Sequence, residues 1–120
     1  MFGALLGRMH AWHVSHPDLK GCNLLAVERA DSVEAILVDL DGVRLSRWFG
    51  EATRARNLGR LATSLEAHPW VTHADRLRFL RAYLREAGLP AGEWKRLWRA
   101  AAAASRSITR RLSRRGRQVV

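Results

Sequence analysis

The sequence predicts a mainly α-helical domain with a small β-hairpin unit near its start. Apolar residues recur at three- and four-residue steps before residue 12 and again after Glu51. Two short apolar runs, "NLLAV" and "EAILVDL", flank the polar stretch "ERADS". The 120 residues are 48% apolar, enough for one modest core and too few for two.

Taken in order, Phe2 to Trp12 reads as the end of a helix, with Leu5, Leu6, Met9 and Trp12 on its inner face. Asn23 to Val27 and Glu34 to Leu40 read as the two strands of a hairpin. From Glu51 the period becomes helical: Leu58, Leu61 and Leu65 share a face until His68 and Pro69 end the element. The next helix opens on a capping box, Thr72 with Asp75, lines its inner face with Leu77, Leu80 and Leu84, and stops at Gly88 and Pro90. A third helix begins near Gly92 and turns Trp94, Leu97, Trp98 and Ala101 inward. From Arg106 the sequence "RSITRRLSRRGRQVV" is dense in arginine and poor in apolar residues, so a frayed or disordered tail is expected. The domain boundaries are accordingly 1–105 for the folded unit and 106–120 for the basic tail.

Composition narrows the chemistry. The single cysteine, Cys22, cannot form an internal disulfide, and neither it nor the five histidines stand at paired metal-ligand spacing. A reducing compartment is expected and a zinc fold is not. The start, "MFGALLGRMHAWHV", has charged interruptions and no small-residue cleavage site, so it does not read as a signal peptide. No apolar run approaches the roughly 20 residues of a membrane span. The formal charge of +10 calls for an anionic partner: nucleic acid, a phospholipid surface or a phosphorylated substrate.

The segment "HPDLKGCNLL" and the later "VDLDG" carry the chemistry. Asp18, Lys20 and Asn23 lie close enough on one loop to be aimed at one point, and Asp39 and Asp41 end the second strand. Phosphoryl transfer needs a carboxylate to accept or orient a hydroxyl proton, a cation near the moving phosphate and oxygen ligands for magnesium. Asp18, Lys20, and Asn23 with Asp39 supply one candidate for each role.

"H-x-D-L-K-x-x-N-L-L", a hairpin and "V-D-L-D-G" together resemble the catalytic and metal-binding loops of the protein-kinase-like fold. The continuation "RWFGEATRARNLGRLATSL" is more similar to the lipopolysaccharide kinase family, whose members phosphorylate Kdo or heptose sugars of the inner core, than to protein kinases. The resemblance implies that Asp18 is the catalytic base and Lys20 the phosphate-contacting lysine. It implies Asn23 and Asp39 as magnesium ligands, with ATP and Mg2+ as cofactors and a lipopolysaccharide sugar as acceptor. It also implies a cytoplasmic location, extending to peripheral contact with the inner membrane.

Departures from the protein-kinase pattern sharpen this reading. Pro17 replaces the arginine of the His-Arg-Asp triplet, so the cation that would pair with a phosphorylated activation loop is missing. Leu40 and Asp41 replace the last two residues of Asp-Phe-Gly, and no Ala-Pro-Glu follows, which favours a small or glycolipid acceptor over a peptide. The loop motif begins at His16, leaving no room upstream for a Gly-rich loop or a strand-borne lysine. The resemblance is therefore to a C-terminal lobe whose N-terminal lobe is absent, and these residues alone are expected to be weak or inactive as a kinase.

Plainer readings stand beside this one. Asp41-Gly42 alone is a common turn, His16 reads as a structural residue supporting the loop, and Cys22 as a small loop filler. Trp94 and Trp98 read as core or groove-lining residues. Arg54, Arg56 and Arg60 form either a solvated helix face or a contact for a phosphorylated or carboxylated sugar. The alternative from another class is a noncatalytic basic module that binds nucleic acid or, through its tail, an anionic membrane surface. A nucleic-acid binder has no need of the carboxylates and the asparagine at these spacings, which makes that partner the weaker expectation. Another small-molecule or protein kinase relative is the further alternative.

Overall fold

The computed structural model describes residues 1–115. Its elements are α1 (Phe2–Ala11), β1 (Val14–Ser15), β2 (Leu24–Glu28), β3 (Val33–Leu37), β4 (Arg44–Leu45), α2 (Glu51–Leu65), α3 (His73–Ala87) and α4 (Trp94–Arg114). Single 3-10 turns occupy Gly21–Asn23 and Ala91–Glu93. The architecture is mainly helical with a small β-hairpin, as the sequence predicts, and carries a second two-stranded antiparallel sheet that the sequence does not announce.

The sheets are nested. β2 and β3 form the inner hairpin, with Leu24 opposite Leu37 and Glu28 opposite Val33. At its tip Arg29 donates to the Glu34 carboxylate at 2.9 Å. β1 and β4 pair outside it, Val14 opposite Leu45 and Ser15 opposite Arg44. The second inner strand is shorter than predicted. It ends at Leu37: one further bond of the ladder runs from Val38 to the Asn23 carbonyl, and Asp39 then turns into the left-handed region at φ 57°.

The helices pack in pairs, α1 on α3 and α2 on α4. Both pairings depend on small residues. A Cβ at Gly7 would lie 2.5 Å from the Tyr83 carbonyl oxygen, and one at Gly59 only 2.6 Å from the Ala104 side chain. The alanine run of α4 is thus the surface that lets α2 approach, and Thr63 and Ser105 share a buried hydroxyl pair at 2.7 Å across it. Leu6, Leu19, Leu58, Leu61, Leu80, Tyr83, Leu84 and Leu97 form the core. Leu19 brings the polar loop into that core, so loop and helices fold as one unit.

Several expectations are corrected. Trp12 lies beyond the end of α1 and is exposed, while Gly3, Leu6, Gly7 and His10 are the buried stripe of that helix. The third predicted helix starts at Trp94, after a 3-10 turn. The basic stretch from Arg106 continues α4 as far as Arg114. Arginine is a good helix former, and the half-buried Ile108 and Leu112 extend the inward-facing series begun by Leu97, Ala101 and Ser105. The part of the predicted tail after Arg115 lies outside the described residues. Thr72 and Asp75 do form the reciprocal capping box, and Gly88 closes α3 in the left-handed conformation at φ 74°.

Candidate functional site

His16 organises the site. Its ring is fully buried between the two polar loops. Nδ1 accepts the Asp18 backbone N–H at 3.2 Å, and Nε2 donates to the Asp39 carbonyl at 2.8 Å. The two hydrogen bonds fix the ring tautomer and tie the segment carrying Asp18 to the segment carrying Asp39. The Asp39 carbonyl is one that the left-handed turn presents, and aspartate is among the few residues that tolerate that conformation.

A second anchor comes from α2. Asn57 Oδ1 accepts the His16 backbone N–H at 2.9 Å, and Ser64 Oγ accepts the Gly21 N–H at 2.9 Å. Within the loop, Asn23 Nδ2 donates to the Asp18 carbonyl at 3.1 Å. This turns Oδ1 of Asn23 away from Asp18, toward only a long thiol contact from Cys22 at 3.8 Å.

Asp18 is held between two cations. Lys20 Nζ lies 3.1 Å from Oδ2 and Arg60 Nε 3.4 Å from Oδ1. Arg60 Nη1 is buried and has no hydrogen-bond partner among the described residues. The structure thus assembles Asp18, Lys20 and Arg60 at one point, with Asn23 bonded to the backbone of Asp18. The carboxylates of Asp39 and Asp41 are exposed and have no ion pair among the described residues.

The other two arginines lie elsewhere. Arg54 donates to the Tyr83 hydroxyl at 2.7 Å and sits over the Phe49 ring, while Arg56 is exposed and reaches Thr53 Oγ1 at 3.3 Å. Trp94 and Trp98 are half-buried against the core.

Beneath the loops runs a buried polar relay that the motif does not announce. Arg54 donates to Tyr83, the Tyr83 hydroxyl bonds His10 Nδ1, His10 Nε2 donates to Asn57 Oδ1 at 3.1 Å, and Asn57 receives His16. Burial, aided by the nearby Arg54 charge, lowers the His10 pKa from 6.5 to about 4 against the opposing bond to Asn57, so the ring is neutral near pH 7. Burial pushes the Tyr83 phenol up to about 12, against the pull of Arg54. The available signal for Asn57 was its place one helical turn before Leu61, a polar residue on an apolar face.

Asn23 and Asp39 fit a magnesium site in kind. Each has a side-chain oxygen not committed to a close intramolecular bond, and magnesium is held by one or two protein oxygens completed by water and nucleotide phosphates. Among the described residues no group of three or more His, Cys, Asp or Glu side chains could form a cage by itself. An apolar cavity of about 460 Å³ lies between the helices and reaches the polar loop at Gly21 and Leu24, with Phe2, Leu61, Leu65, Phe79 and Trp98 in its walls.

Fold and site together define a small helical domain whose nested hairpins present two polar loops bridged by one histidine. Residues 1–83 match the model of the Lipopolysaccharide kinase (Kdo/WaaP) family, and the chain belongs to that family. No curated protein and no solved structure matches it.

Proposed function

We propose that the described loops are the base-and-metal half of an ATP-dependent phosphotransferase site of the kinase type, acting on a sugar hydroxyl of the lipopolysaccharide inner core, Kdo or heptose. The observation that carries this reading is the His16 bridge, which holds the Asp18 loop and the Asp39 turn in one fixed relation. Family membership supports a lipopolysaccharide kinase-like role. On this reading the chain is a kinase-like C-terminal lobe, and residues 1–105 hold all the groups invoked.

Magnesium-bound ATP supplies the transferable phosphoryl group and the charge that neutralises it. Asn23 Oδ1 and the Asp39 carboxylate are the protein oxygens offered to the metal. Asp18 orients the acceptor hydroxyl and takes its proton. For this, one carboxylate oxygen must be released, and Lys20, on the half-exposed Oδ2 side, is the cation free to move to a phosphate. Arg60 comes from the core-packed α2 with only 15% of its side chain exposed, so it keeps Asp18 in place while Lys20 moves.

The noncatalytic basic-module reading gives these polar contacts no task. A magnesium-dependent ATP titration on the purified chain separates the two. Saturable binding that is lost in Asp39→Asn supports the phosphotransferase site. A folded chain that ignores ATP but binds DNA with a steep salt dependence supports the basic module.

A further inference from the structure

The outer sheet carries a surface that the phosphotransfer site does not use. Trp12, Leu45 and Trp48 are 74%, 80% and 83% exposed, values far above those usual for such large apolar side chains. They are neighbours by backbone pairing: Val14 faces Leu45 across the β1–β4 ladder, and Ser46 donates to the His13 carbonyl at 2.8 Å. All three lie within two residues of that Ser46–His13 bond. So do Arg44 and Arg47, both exposed and without an ion pair among the described residues. The segment is held in shape. Ser46 Oγ donates to the Trp48 carbonyl at 2.7 Å, and the Phe49 ring stacks on His13 with centroids 5.9 Å apart.

We infer that this corner docks the protein on an anionic lipid surface. Tryptophan suits the boundary between headgroups and acyl chains, where its ring is buried and its N–H stays hydrated. Arginines beside it add attraction to anionic headgroups. Exposed apolar groups interleaved with cations match that boundary in both polarity and charge. A nucleic acid would use the arginines and leave Leu45 idle. The position also has a use: β1 leads directly into His16 and Asp18, and β4 follows the Asp39 turn, so a docked corner holds both polar loops near the bilayer.

This surface stands on different residues from the phosphotransferase reading. Vesicle binding requires neither ATP nor magnesium, so either can fail alone. The experiment is co-sedimentation of the full chain with vesicles of phosphatidylcholine alone and of phosphatidylcholine with 30% phosphatidylglycerol. The expected result is binding to the anionic vesicles only, weakened at least tenfold in Trp12→Ser/Trp48→Ser, which leaves the net charge unchanged. Two variants with equal charge loss locate the surface. Arg44→Gln/Arg47→Gln is expected to weaken binding about tenfold, and Arg99→Gln/Arg106→Gln on α4 by less than threefold. All these side chains are exposed, and circular dichroism checks that each variant is folded. Undiminished binding by the tryptophan variant, a larger loss from the α4 pair, or a folded chain that binds DNA but no vesicles would each overturn the inference.

Discussion

His10 shows how much one buried side chain can set. Its ring joins α1 to α3 through Tyr83 and to α2 through Asn57, and Asn57 holds the backbone of His16. Its pKa is about 4 in the folded chain against 6.5 when unfolded. Between these values the unfolded chain binds more protons, so stability falls as pH drops through that window and is fully present above it. The full loss is on the order of 3 kcal/mol. Urea denaturation at pH 7 and pH 4.5 should show most of it. A His10→Gln variant, which cannot titrate, should lose this part of the slope, and an equal slope in the variant would exclude His10 as its source. The relay also marks the limit of reading a site from sequence. Asp18, Lys20, Asn23 and Asp39 are legible because their spacing along the chain is itself the pattern. Asn57, Arg60 and Ser64 are distant in sequence and meet the loop only once α2 has docked. Arg60 was legible as a cation on α2, but its pairing with Asp18 was not.

At the scale of elements, local signals are legible in the sequence and contact-dependent ones are not. The capping box of α3 is complete within four residues and was visible as such. The end of α4 was not, because an arginine-rich stretch looks like a solvated tail until Ile108 and Leu112 are placed on the side facing α2. Trp12 departs from the expected inner face for the opposite reason: it keeps the helical period, but the chain leaves the helix at Ala11. The helix pairs make a sharper prediction through their glycines. In an exposed helix interior Gly→Ala gains up to about 1 kcal/mol of propensity. At Gly7 and Gly59 the new Cβ would instead press within 2.5 Å of the Tyr83 carbonyl and 2.6 Å of the Ala104 side chain, and overpacking costs about 1–3 kcal/mol. The clash should win, so thermal unfolding of Gly7→Ala and Gly59→Ala is expected at lower temperature than the parent. Gly92 has nothing within 4 Å of its Cβ position, and Gly92→Ala should be neutral or slightly stabilising. Equal melting temperatures for all three variants would mean that the close helix approach does not limit stability.

For the whole molecule the governing quantity is the formal charge of +10 on 120 residues. α4 concentrates it: Arg99, Arg106, Arg110 and Arg114 are exposed along one side of the helix and have no ion pair among the described residues. Two effects of salt compete. Screening weakens ion pairs such as Arg96–Glu51 at 2.8 Å and Arg29–Glu34 at 2.9 Å, but these are exposed, and such pairs contribute about 0.2–1 kcal/mol each. Screening also relieves the mutual repulsion of the excess cations, which acts over the Debye length of about 10 Å at 0.1 M ionic strength, far enough to span successive turns of α4. With few pairs to lose and a large excess of like charge, relief should dominate. The melting temperature is expected to rise by several degrees between 20 and 300 mM sodium chloride, corresponding to about 1 kcal/mol. Arg106→Glu/Arg110→Glu should raise the melting temperature at low salt and flatten its salt dependence, since it removes like charge where it is densest. A melting temperature that falls with salt would mean that the exposed pairs matter more to this fold than its net charge.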